Sequence, residues 1–127
     1  DQSRIVIDVA VPISAYTEMI HYAREEALKE KEITAYIFGH AGDGNIHLVV
    51  GTGRDNAKAW EAIDALNSRV VTKALALGGT ATGEHGVGIG KRKFMPAEHG
   101  ASLEWMRKVK QLFDPNGILN PGKMFPD

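Results

Sequence analysis

Two histidines, His40 and His47, stand with six residues between them. One follows the apolar run ITAYIF at 33–38, and the other lies in the run IHLVV at 46–50. If these runs pair as a hairpin, the histidines face each other across it. Directly opposed positions have Cβ atoms about 4.5–5.5 Å apart, so two imidazoles could share one metal ion. The intervening Ala41-Gly42-Asp43-Gly44-Asn45 offers two glycines for tight turning and polar side chains to support ligands. Spacing alone fits two surface histidines flanking a loop equally well, because this pattern is far less specific than His-Glu-x-x-His.

A second cluster is Thr82-Gly83-Glu84-His85-Gly86-Val87-Gly88-Ile89-Gly90. Here a carboxylate and an imidazole are adjacent and fenced by glycines. Glu84 could complete a site of two histidines and one carboxylate with open positions for substrate. His85 would then be available for proton transfer. The competing reading is a glycine-rich turn with a solvated Glu and His. A phosphate-cradling loop is disfavoured, since residues 88–93 lack the required glycine and lysine spacing. His21, His99 and the run Lys91-Arg92-Lys93 read as solvated. Trp60 and Trp105 fall on helical stripes and read as core.

The elements that must position these groups follow from periodicity. Residues 4–11, RIVIDVAV, read as a strand closed by Pro12. Ser14 is the expected N-cap of a helix over 15–31, with Tyr16, Met19, Ile20, Ala23 and Ala27 inward. The runs 33–38 and 46–50 are two further strands. Asp55 is the expected cap of a helix over 56–77, buried through Trp60, Ile63, Leu66, Val70, Ala74 and Leu77 and ended by Gly78-Gly79. Residues 80–83 are expected as a short fourth strand or extended segment. A last helix spans 101–113, with Leu103, Met106, Val109 and Phe113 inward, and Asp114-Pro115 stops it. The expected class is therefore α+β: a ferredoxin-like βαββαβ unit with a four-stranded antiparallel sheet, followed by a C-terminal helix and an extended tail.

Composition bounds the function. The 127 residues are enough for one domain, with 43% hydrophobic and 24% charged residues, as in ordinary globular chains. The net charge of −1 gives no reason to expect a nucleic-acid surface or a polybasic membrane patch. No apolar run approaches the length of a membrane span. The chain has no cysteine, which removes disulfides, cysteine-zinc sites and thiol nucleophiles, and agrees with a cytoplasmic setting. The opening DQSRIVIDVA has no signal-peptide character and reads as a cut within a longer protein.

Three separated motifs carry a more specific message: GHAGDGNIH at 39–47, GGTATGEHGVGIGK at 78–91 and FDPNGILNPGKMF at 113–125. Together they resemble the C-terminal part of the FAD-linked oxidases, a family that includes D-lactate dehydrogenase, the glycolate oxidase FAD subunit and D-2-hydroxyglutarate dehydrogenase. The resemblance implies that residues 1–100 are the second half of a substrate, or cap, domain. Residues 101–127 would be a helix and tail that return to an FAD-binding domain absent from this chain. By the same resemblance His40, His47 and Glu84 are metal ligands, His85 is the acid/base, and Asn120 approaches the flavin. Val49 departs from the family, where several members carry a polar residue near the substrate.

What the resemblance implies is oxidation of a small 2-hydroxy acid to a 2-oxo acid. A divalent metal, Zn or Mn, would orient the hydroxyl and carboxylate, His85 would take the hydroxyl proton, and the Cα hydrogen would pass to FAD as hydride. The partners expected are the hydroxy acid, the FAD-binding domain and possible further copies of the chain, with no activity in the fragment alone. The rival reading is a non-catalytic ferredoxin-like binding module, which has no reason to hold metal. A non-oxidising flavoprotein relative would favour a run of adjacent histidines, which this chain lacks.

Overall fold

The computed structural model describes residues 2–126. The chain forms two compact units, divided after Glu84. In the first, three strands, β1 (Gln2–Ala10), β2 (Thr34–His40) and β3 (Asn45–Gly53), form one antiparallel sheet in the order β1-β3-β2. Two helices, α1 (Tyr16–Leu28) and α2 (Ala57–Ala76), pack on one face of the sheet.

Alternation along the strands decides which residues meet the helices. Ile7 and Val9 of β1 pair with Leu48 and Ile46 of β3, so all four project to the same face. They are buried with Val50, with Met19 and Ala23 of α1, and with Ile63, Leu66 and Val70 of α2. The inner residues of the stripes read from sequence are therefore the core, whereas Tyr16, Ile20, Trp60 and Leu77 are only half-buried. Polar bonds tie the helices together above it. Arg69 donates from Nε to Glu26 Oε2 at 2.6 Å and from Nη2 to Glu30 Oε1 at 2.8 Å. The helix starts differ from the expected caps. Asn56, not Asp55, caps α2 by accepting the Ala59 N–H at 3.1 Å. A short 3-10 turn at Ile13–Ala15 leads into α1, and Ser14 makes no cap.

The expected four-stranded sheet is not what forms: the sheet has three strands. Residues 80–83 contribute a single bridge, Thr80 to Ala10, on the outer edge of β1. This is the edge a fourth ferredoxin-like strand would occupy. Two interactions, one local and one long-range, accompany the end of the ladder. The Thr80 hydroxyl bonds to the backbone N–H and carbonyl of Thr82, at 3.3 and 3.2 Å, and bends the chain. Gly83 then lies directly against Asn45 and Asp8, where an added Cβ would sit 1.8 Å from Asn45 Nδ2 and 2.5 Å from Asp8 Oδ1. The segment leaves the strand edge and comes over the sheet face opposite the helices.

The second unit contains a short helix, α3 (Met95–His99), and α4 (Ser102–Phe113). α3 was not anticipated from the sequence. Of the α4 stripe, Leu103 is buried, whereas Val109 and Phe113 are exposed, as is Trp105, which was expected in the core. The tail is turned rather than extended. Asp114 accepts the backbone N–H groups of Ile118 and Leu119, both at 2.9 Å, and is paired with Lys110. The Lys110 hydrogen bond, opposed by burial and aided by the two backbone donors, holds the Asp114 carboxyl below its ordinary range. Lys110 also donates to the Leu119 carbonyl at 2.8 Å, and the Arg107 guanidinium stacks 4.9 Å from the Phe125 ring centre. Asp127 lies outside the described residues.

Candidate metal centre

Strand parity places His40 and His47 on the sheet face that the helices leave uncovered. They are not directly opposed. A 3-10 turn at Ala41–Asp43 and Gly44, with φ +72°, close the hairpin so that His40 pairs with Asn45 and His47 with Phe38. The two histidines are diagonal neighbours, with ring centres 5.5 Å apart and planes nearly perpendicular at 89°. A side chain at position 44 would place its Cβ 2.0 Å from the Val11 carbonyl oxygen, so the tight closure needs glycine there.

Glu84 comes to the same place from the segment that fails to become a strand. Its Oε1 is 3.1 Å from His47 Nε2 and 3.4 Å from His40 Nε2. The three groups each offer one ligand atom, all within 4.8 Å of one another. Two ligands held about 2.1 Å from one tetrahedral ion would stand about 3.4 Å apart. The 3.1 and 3.4 Å separations match that requirement, and an imidazole–imidazole–carboxylate set suits a divalent first-row metal. Exposure is uneven: the His47 side chain is 4% exposed, against 58% for His40 and 50% for Glu84. One candidate ligand is rooted in the protein, and the other two are half-exposed.

Asp8 was missed by the sequence reading. It lies directly across from His47 on β1, is 2% exposed, and has Oδ1 3.2 Å from His47 Nδ1. It also accepts from Asn45 Nδ2 at 2.7 Å and from the Glu84 backbone N–H at 2.9 Å. The available signal was one acidic residue inside the apolar run RIVIDVAV. Phe38 flanks the His47 ring on the other side, with ring centres 5.2 Å apart.

The remaining site residues belong to the second unit. His85, the first residue of that unit, is exposed. Asn120 is exposed and has φ +45° immediately before Pro121. That left-handed backbone is uncommon outside glycine, although asparagine tolerates it better than most residues.

Comparison with known proteins places the chain in a family. The pattern describing FAD linked oxidases, C-terminal domain, matches residues 2–124, and the chain belongs to that family. It is 45% identical over 121 residues to "D-lactate dehydrogenase [cytochrome] 1, mitochondrial" of Saccharomyces cerevisiae, covering 93% of this chain and 20% of the yeast protein. It is 38% identical over 123 residues to the mitochondrial D-lactate dehydrogenase [cytochrome] of Arabidopsis thaliana, covering 96% and 22% respectively. It is 39% identical over 122 residues to glycolate oxidase subunit GlcD of Bacillus subtilis, covering 95% and 26%. The chain thus spans about a fifth to a quarter of the length of these relatives. The family description itself names FAD as the linked cofactor. Among the described residues no helix is long and apolar enough to cross a membrane.

Proposed function

We propose that this chain is the metal- and substrate-holding part of an FAD-dependent 2-hydroxy-acid dehydrogenase, of the D-lactate, glycolate or D-2-hydroxyglutarate type. The observation that carries the reading is the convergence of His40, His47 and Glu84 on one face of the sheet. The family and the names of the relatives support the choice of chemistry. Three roles follow for the protein's own groups. His40, His47 and Glu84 hold a divalent metal, Zn or Mn, and so fix the place where the hydroxyl and carboxylate of the substrate are received. His85 takes the hydroxyl proton on its imidazole. Asn120 lies toward the flavin, in a tail that returns to the FAD-binding domain. When bound, the metal supplies charge stabilisation and orientation, and FAD supplies the two-electron acceptor.

Residues 1–100 act in this reading as part of the cap domain and 101–127 as the returning segment. Val49 follows His47 on the same sheet face and places an apolar side chain where several family members have a polar one. A cytoplasmic setting remains part of the proposal on the absence of cysteine, although the yeast and plant relatives carry mitochondrial names.

Titration of the 127-residue chain with Co(II), followed by its d–d absorption, tests the carrying observation. One equivalent should bind, and His47→Ala should abolish it. Equal binding by both proteins, or none by either, would favour the binding-module alternative.

A further inference from the structure

We infer that Asp8 is the positioning residue that assembles the metal centre, acting on two of its three ligands at once. The inference rests on the reading of His40, His47 and Glu84 as ligands. A carboxylate only 2% exposed in the middle of a strand is costly to bury unless it is well partnered. Its two oxygens divide the work. Oδ1 faces His47 Nδ1 at 3.2 Å and accepts from Asn45 Nδ2 at 2.7 Å. Oδ2 accepts the Glu84 backbone N–H at 2.9 Å.

The first contact is electrostatic: the Asp8 carboxylate lies 3.2 Å from Nδ1, outside hydrogen-bond geometry, while the other ring nitrogen, Nε2, is 3.1 Å from Glu84 Oε1. It favours the proton on Nδ1, which leaves the Nε2 lone pair for a metal. A carboxylate behind a ligating imidazole fixes its tautomer and ring orientation. The second contact anchors the chain at Glu84, which belongs to no strand or helix. Asn45 supports the arrangement by donating to the Val9 carbonyl at 3.2 Å as well as to Asp8. Gly83 allows the backbone to approach, because any side chain there would strike both Asp8 and Asn45. One buried carboxylate on β1 therefore sets the orientation of a ligand on β3 and the position of another in the loop after α2.

The test is Co(II) affinity and absorption of the 127-residue chain and its variants, with urea unfolding of the metal-free proteins alongside. Asp8→Ala should weaken Co(II) binding about 10–100-fold and shift the d–d bands. Asp8→Asn keeps the volume and one acceptor oxygen, so it should recover part of the affinity; it also provides a folded variant if the alanine protein is too unstable. Unchanged affinity and bands in Asp8→Asn and Asp8→Ala, with only the unfolding midpoint lowered, would reduce Asp8 to a structural role and overturn the inference. His47→Ala separates the two levels of the claim. Loss of binding in His47→Ala but not in Asp8→Ala refutes the Asp8 role alone. Wild-type binding by His47→Ala, or no binding by the wild type, refutes the metal centre and the Asp8 role together.

Discussion

Glu84 and His85 are neighbours in sequence, and the proposed chemistry assigns them different work. Glu84 has its carboxylate within 3.4 Å of both histidine Nε2 atoms, so removing its charge should loosen the metal. His85 is the proposed base, and its loss should leave the metal in place. In the full-length flavoprotein, His85→Asn should slow reduction of the flavin by the hydroxy acid about 10²–10⁴-fold while metal content stays near wild type. Glu84→Gln should lower both metal content and rate. Rapid-mixing kinetics with metal analysis on the same samples separates the roles. Normal flavin reduction by His85→Asn would remove it as the base, and full metal occupancy in Glu84→Gln would move the ligand elsewhere.

At the level of elements, the sheet is held in place by two helices that are themselves linked through charge. Glu26, on the edge of the core, has its carboxyl pulled below the ordinary value of 4.5, first by the hydrogen bond from Lys29, with burial opposing and Arg69 assisting. A carboxyl whose folded pKa is lowered contributes stability above its unfolded pKa, and loses that contribution as pH falls through the folded value. Glu26→Gln should therefore be less stable than wild type at pH 7, and the gap should narrow below pH 4.5. Urea midpoints at pH 7 and at about pH 3 make the comparison; a gap of the same size at both would show that the charge of Glu26 is not the source. The fourth strand fails at this same scale. Its residues have the right apolar and β-branched character, but Thr80 and Gly83 divert the segment from the strand edge to the candidate ligands.

For the whole molecule, the second unit matters most because of what it leaves uncovered. Trp105, Val109, Leu112, Phe113, Ile118 and Leu119 are all more than half exposed. Such a run of large apolar groups exceeds the scattered exposure usual on a protein surface. In the proposed enzyme this face packs against the FAD-binding domain. Amide exchange across 116–126 should accordingly be slower in the full-length protein than in the 127-residue chain. The same protection in both would place the partner of this face elsewhere.

Much was legible in the residues themselves. Periodicity marked three strands and the helices α1, α2 and α4, because burial of one helical stripe and one strand face leaves a repeat that needs no partner to be recognised. The three motifs also carried the family, and with it the candidate ligands His40, His47 and Glu84. Other features were decided only in three dimensions. The hairpin closure set His40 and His47 diagonal rather than opposed, since register depends on turn geometry that two glycines leave open. Residues 80–84 became the loop that carries Glu84 because contacts with Asn45 and Asp8, the latter 76 positions from Glu84, compete with strand pairing. The importance of Asp8 lay out of reach for the same reason: in sequence it is one acid in an apolar run, and only cross-strand pairing brings it against His47 while the chain after α2 comes back to meet it.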